Sequence, residues 1–395
     1  MAVAAAAKHV VLFPFPGQGH LSAFMSVAAL LHRALPDAAI TLVSTPRNVA
    51  ALRAASASTS TSSFLRFHAL PFTPADHGLP ADCESNDAVP PGHFMDIYEA
   101  FEALQPAFDE YVAAVTADAG GSGVCVVSDP FTAWTAAVAR RRGCAHALFA
   151  SCGAFSSAIL HSLWSHLPVR HDPAGRVCLV EHPEVVIHLS QVSKRLLHPV
   201  VSGKVRLEAF LERQITHGHA TDMVLINTVE ELEPTGLAML RRALKVPVWP
   251  VGPLVRATTP LSPADQTILS FLDSHPPSSV LYISFGSQNT IRAEHMVELA
   301  MALESTGRPF VWVVRPPDEH DIRGEFRAEW LPEGFEERAH VGNRGLLVRG
   351  WAPQVSILGH TSTGAFLSHC GWNSVLESLT HGVPVIGWPI AGDQF

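Results

Sequence analysis

Charge is scarce in this chain of 395 residues: Asp, Glu, Lys and Arg make up 16%, against 47% apolar residues. That balance excludes a disordered polyelectrolyte and leaves enough apolar side chains for two ordinary cores, in line with two domains at this length. Positive charge is the rarer sign, with 27 Lys and Arg to 36 Asp and Glu and a net charge of -9. No Lys/Arg-rich run offsets it; "ARRRG" at 139–143 reads as a solvated helix face, so no nucleic-acid partner is expected. Cys83, Cys125, Cys144, Cys152, Cys178 and Cys370 form no C-x-x-C pair, which argues against a zinc site and, with a reducing compartment, for a cytoplasmic protein. The N-terminal stretch lacks a basic region and is interrupted by Lys8, and no apolar run reaches about 18 residues, so neither a signal peptide nor a membrane span is expected.

What is present is alternation. "HVVLFPF" (9–15), "AAITLVS" (38–44), "FLRFHAL" (64–70), "VCVVSD" (124–129), "AHALFAS" (145–151) and "DMVLINT" (222–228) read as buried strands. Helical patterns cover 21–35, the region near 131–142, and 229–244. Strand–helix alternation of this kind predicts an α/β fold: a parallel sheet with helices on both faces. The polar segment 56–63 reads as a low-complexity loop, 71–92 as a long loop, 165–200 as irregular, and the proline-punctuated 246–255 as an extended linker. A second alternation follows. It has helices over 267–274 and 293–307, strands over 279–287, 309–315, 346–351, 364–369 and 383–389, and a charged surface excursion at 316–343. The division expected is 1–245, a linker 246–258, and 259–395, the last incomplete because it stops just after a motif with no closing helix.

The glycine-rich corner "FPFPGQGH" puts backbone N–H groups and a helix N-terminus at the carboxyl edge of the first strand, where open parallel sheets bind ligands. Gly17, Gly19 and Ser22 miss the dinucleotide fingerprint by its third glycine, and no acidic residue ends the second strand. His20 at that edge is a candidate general base, or else a helix-start histidine bonding the backbone. Asp129 in "VVSDPF" ends the fourth strand on the same edge. It is either a partner fixing the imidazole tautomer or an N-cap ahead of Pro130. No G-x-S-x-G elbow supplies a serine nucleophile, so a His–Asp pair here implies that the substrate brings the hydroxyl.

"SFGSQ" after the 279–287 strand repeats the corner and suits a phosphate oxygen, or is a plain tight turn. The stretch Trp351 to Gln394, "WAPQVSILGHTSTGAFLSHCGWNSVLESLTHGVPVIGWPIAGDQ", gathers more polar groups at one strand-to-helix corner than a turn requires. Trp351 can stack on a flat base. His369, Gly371, Asn373 and Ser374 crowd one helix N-terminus and suit a diphosphate. Glu377, a turn further on, suits two ribose hydroxyls, and Asp393 with Gln394 suits sugar hydroxyls. Each has a bland alternative: Trp372 and Trp388 as core, Ser374 as a cap. Together they describe a nucleotide-sugar cradle.

That stretch resembles the signature box of the plant family-one UDP-dependent glycosyltransferases across all of its length. "FPFPGQGH", "VVSDPF", "INTVEELEP", "WPVGPL" and "LYISFGS" resemble the same family's landmarks in its usual order. The resemblance implies a GT-B fold, two facing Rossmann-like domains, here with the second one truncated. It implies that His20 is the general base and Asp129 its partner. It also implies that Trp351, Ala352 (through its backbone) and Gln354 bind the base and Glu377 the ribose. Ser287, His369, Asn373 and Ser374 would bind the diphosphate, and Trp372, Asp393 and Gln394 the sugar. A glutamine at the box's end favours UDP-glucose, as co-substrate rather than cofactor, with no metal. The expected reaction is inverting transfer to a small hydroxylated acceptor, a phenolic or terpenoid, by a monomer. Phe15, Phe94 and Phe155, with loops near 71–95, 150–160 and 190–210, are candidates to line the acceptor site, or else core. The competing readings are an NAD(P)-dependent oxidoreductase using "GQGHLS" and a non-catalytic nucleotide-sugar-binding fragment.

Overall fold

The computed structural model of the chain describes residues 8–56, 60–89, 93–121, 123–192, 204–256 and 261–395. The chain divides into two compact units, 1–254 with 391–393 and 395, and 255–390 with 394.

Among the described residues the first unit holds a seven-stranded sheet, all parallel, in the order β3-β2-β1-β4-β5-β8-β9. The strands are β1 (His9–Phe13), β2 (Ala39–Ser44), β3 (Leu65–Ala69), β4 (Val124–Ser128), β5 (Ala145–Ala150), β8 (Met223–Ile226) and β9 (Val248–Pro250). A short antiparallel hairpin, β6 (Arg176–Cys178) with β7 (Val186–His188), lies apart from the sheet. Period-2 geometry explains the near-continuous apolar strands. Val11 and Phe13 enter the core on one face and Val10 and Leu12 the core on the other, and helices cover both.

The second unit repeats the scheme with five parallel strands, β12-β11-β10-β13-β14. They are β10 (Val280–Ser284), β11 (Phe310–Val314), β12 (Gly345–Arg349), β13 (Thr363–Ser368) and β14 (Val385–Gly387). Phe310, Trp312 and Val314 pack on one face, Val311 and Val313 on the other. No helix among the described residues is long and apolar enough to cross a membrane.

In each sheet the chain winds outward from one central strand and then jumps back beside it. The first does so between β1 and β4, with Phe13 opposite Ser128; the second between β10 and β13, with Ser284 opposite Ser368. Such reversal points open a crevice at the carboxyl ends of the strands.

Several expectations need correction. The stretch 246–255 is not only a linker, because Val248–Pro250 pairs with β8 as an edge strand, a position that tolerates proline. The region 165–200 contains the β6–β7 hairpin, and its residues 193–200 lie outside the described residues. The helix expected over 229–244 starts at Pro234, whose fixed φ suits a first turn. The excursion 316–343 is anchored: Phe326, Trp330, Leu331 and Phe335 are buried in the second unit's core. Of the polar segment 56–63, Ser60–Ser63 form a 3₁₀ turn and 57–59 lie outside the described residues.

Candidate functional site

The first reversal point is built from the two corners the sequence singled out. Helix Gln18–Ala34 begins directly after β1, with Gly17 at its N-cap, so His20 falls in the first turn. Gly17 has to lack a side chain, since a Cβ there would lie 2.9 Å from His20 Cδ2. Asp129 follows β4 as N-cap of the 3₁₀ turn Pro130–Thr132. Its two oxygens divide the two roles left open above. Oδ1 accepts the Phe131 N–H at 3.0 Å, and Oδ2 meets His20 Nδ1 at 2.5 Å. The Asp129 side chain is 0% exposed and the His20 side chain 24%. Among the described residues His20 Nε2 has no hydrogen-bond partner, so the nitrogen opposite the carboxylate remains available.

Burial works against the charged imidazole, but the charge and hydrogen bond of Asp129, with a further pull from Asp393, outweigh it. The His20 pKa therefore stands above the ordinary 6.5. Asp393, grouped with the first unit, has its own pKa raised by burial.

Aromatic rings surround this pair. Phe15 and Phe131 each lie 5.7 Å from the His20 ring. Tyr98 packs on both, and Phe94 on Tyr98 at 4.7 Å. Trp164 lies 5.8 Å from Phe131. Phe15 is fully buried, so it is a brace for the imidazole rather than a lining residue, as its position directly after the buried strand dictates. Phe94 is half-buried beside Tyr98, and Phe155 is exposed on helix Ala154–Ser165 with no ring contact to His20. Sequence reading missed Tyr98, Phe131 and Trp164. Phe131 was visible in "VVSDPF", whereas the other two sit in helices whose apolar spacing carried no chemical mark.

The second reversal point holds most of the signature box. Gly286 follows β10 with φ +83°, and His369 follows β13. The imidazole is wedged between glycines: a Cβ on Gly286 or Gly371 would come within 2.6 or 2.4 Å of its Nε2. Nδ1 is buried without a hydrogen-bond partner. Burial pushes the His369 pKa down to about 4, against a weaker pull from the Ser284 backbone, so the ring is neutral at physiological pH. Cys370 takes a left-handed φ of +65°, an uncommon conformation for a side-chain-bearing residue, and turns the chain into helix Trp372–Thr380. Gly371 caps that helix with no side-chain hydrogen bond. Ser374 is buried just inside, while Ser287, Trp372 and Asn373 are half-buried.

Gln354 is a hub. Its Nε2 donates to Ser374 Oγ at 3.0 Å and Glu377 Oε2 at 2.7 Å, and its Oε1 accepts the Tyr282 hydroxyl at 3.2 Å. Glu377 is additionally paired with Arg256, which the sequence reading did not single out because it falls among linker residues. Trp351 is 55% exposed and Ala352 is buried beneath it in the chain. Trp388 packs edge-on against Phe285, the core alternative considered for it. Gln394 Oε1 accepts the Ile390 N–H at 2.9 Å, folding the chain end into a local loop. Among the described residues no cluster of three or more His, Cys, Asp or Glu has metal-binding geometry, and no disulfide joins any of the six cysteines.

Two family models match the chain: "Glycosyltransferase, N-terminal domain" over residues 7–256 and "UDP-glucoronosyl and UDP-glucosyl transferase" over 247–395. Arabidopsis thaliana UDP-glycosyltransferase 92A1 is 39% identical, the match covering 98% of this chain and 80% of that protein. Crocus sativus crocetin glucosyltransferase 3 is 37% identical, with 99% and 83% covered. A Siraitia grosvenorii UGT transferase in complex with UDP is similar in structure, with a TM-score of 0.78 at 30% identity, 98% of this chain and 82% of that one covered. Phytolacca americana UGT2 with UDP-2-fluoro-glucose and pterostilbene gives 0.74 at 27%, with 98% and 81% covered.

Proposed function

This chain belongs to the plant UDP-glycosyltransferase family and has its GT-B fold of two Rossmann-like units, and we propose that it transfers glucose from UDP-glucose to a hydroxyl of a small apolar plant metabolite, with inversion to a β-glucoside. The observation that carries the acceptor half is the 2.5 Å contact between His20 and a fully buried Asp129, set among aromatic rings.

In this reading His20 Nε2 takes the acceptor's proton as its oxygen attacks the anomeric carbon from the face opposite the diphosphate. Asp129 holds the tautomer and stabilises the imidazolium that forms. The bond from the anomeric carbon to the diphosphate oxygen breaks, and UDP leaves with that electron pair. The uncapped N-terminus of helix Trp372–Thr380, with Ser287, Asn373, Ser374 and the neutral His369, receives the diphosphate charge without a metal. Trp351, Ala352 and Gln354 take the uracil, Glu377 the ribose, and Trp372, Asp393 and Gln394 the sugar. Phe94, Tyr98 and Phe131 favour a flat apolar acceptor. Cysteines that form no disulfide fit a reducing, cytoplasmic setting, and a monomer suffices for this chemistry.

A glucose-transfer assay with UDP-glucose and a panel of hydroxylated phenolics and terpenoids tests the reading. Product with an inverted anomeric centre supports it. Binding of NADPH in place of UDP, followed by thermal stabilisation, would favour an oxidoreductase instead.

A further inference from the structure

Arg256 touches the two groups that the proposed function gives to the nucleoside. Its Nε donates to Glu377 Oε1 at 2.8 Å and its Nη2 to Oε2 at 3.3 Å. Its guanidinium carbon lies 5.4 Å from the centroid of the Trp351 ring. A uridine bound as proposed above would place a flat base against the same indole and two neighbouring hydroxyl donors on the same carboxylate. The arginine side chain offers the same pair of features in one group: a plane, and two parallel N–H donors.

Exposure shows which side the arginine lies on. The Glu377 side chain is 1% exposed and the Arg256 side chain 27%. Of the other groups around the carboxylate, the half-buried Gln354 bonds Oε2, with the buried Ser374 and Tyr282 behind it, while His381 bonds the Glu377 backbone oxygen instead. Arg256 is thus the outward cover of the carboxylate, and a ribose reaching Glu377 has to take its place. A plain anchoring ion pair needs no contact with the indole, whereas here both contacts come from one side chain.

We propose that Arg256 is a built-in competitor of the nucleoside, an autoinhibitory contact that UDP exchanges for its own on Glu377 and Trp351. The inference rests on the proposed roles of those two residues. Displacing this partly exposed pair is expected to cost about five- to tenfold in apparent affinity.

Calorimetric titration of the full chain with UDP and with 2',3'-dideoxyuridine diphosphate tests it, for wild type, Arg256→Ala and Arg256→Met, with thermal melting to confirm folding. Removal of the competitor should tighten UDP about five- to tenfold in both variants and tighten the dideoxy compound less, since that ligand does not contend for Glu377. Unchanged or weaker UDP binding in the folded variants, or equal tightening for both ligands, overturns the inference. A wild type that binds UDP no better than its dideoxy analogue, or binds neither, instead removes the ribose role of Glu377 on which it rests.

Discussion

The two sheets reverse direction at equivalent places, and each places a histidine there, yet the two imidazoles behave oppositely. His20 has a buried carboxylate on one nitrogen and holds its proton more tightly than a free histidine. His369 has no carboxylate, one buried nitrogen without a partner and two glycines against the other, and loses its proton down to about pH 4. The shared topology supplies the crevice. The neighbour decides whether the ring holds its proton or stays a neutral dipole beside a helix N-terminus.

The comparison breaks hardest at His20. His20→Ala should lower glucose transfer about a thousandfold, within the range of a lost general base, while UDP affinity stays within about twofold. Parallel loss of both would remove the distinction between the two corners. Asp129→Asn should cost about a hundredfold, and the rise of activity with pH should move down past 6.5, because the charge that outweighs burial of the imidazolium is gone. A pH–rate profile unmoved by that change would show that the carboxylate does not tune the base.

At the second corner, Gly371→Ala pushes a methyl group into His369 and Gly286→Ala adds a disfavoured positive φ. Each should weaken UDP binding about tenfold, about 1.4 kcal/mol, with His20's titration unchanged. Wild-type affinity in both would mean that His369 is not held in place by its glycines. The remaining effect is on stability rather than on binding or turnover. A depressed imidazole binds fewer protons folded than unfolded, so the His369 contribution falls as pH drops from 6.5 toward about 4, by about 3 kcal/mol at most. The raised His20 has the opposite sign: its contribution is complete below 6.5 and is lost as pH rises through the folded value. Imidazole NMR titration should show the two rings on opposite sides of 6.5.

The strands that carry the chemistry were legible because both faces of each are buried, which turns β1, β4, β10 and β13 into unbroken apolar runs with a polar residue at the end. Helices Pro46–Ser56 and Ala154–Ser165 were not, since alanine and serine spread around them blur the 3.6-residue period. Trp330 was hidden by the charges flanking it. The His20–Asp129 pairing was open to two readings because a sequence cannot show that one carboxylate serves both a turn and a ring. Arg256 carried no signal, as its partner Glu377 lies 121 positions away.

The line of rings leading from His20 has a bearing on how such a protein diversifies. Phe131 touches the imidazole, Tyr98 touches Phe131, and Phe94 touches Tyr98. If these rings line the acceptor site as proposed, selection for new acceptors works from the outer ring inward, with each step nearer the imidazole trading more turnover for altered preference. Libraries randomised at Phe94 should retain many active members, and those randomised at Phe131 few.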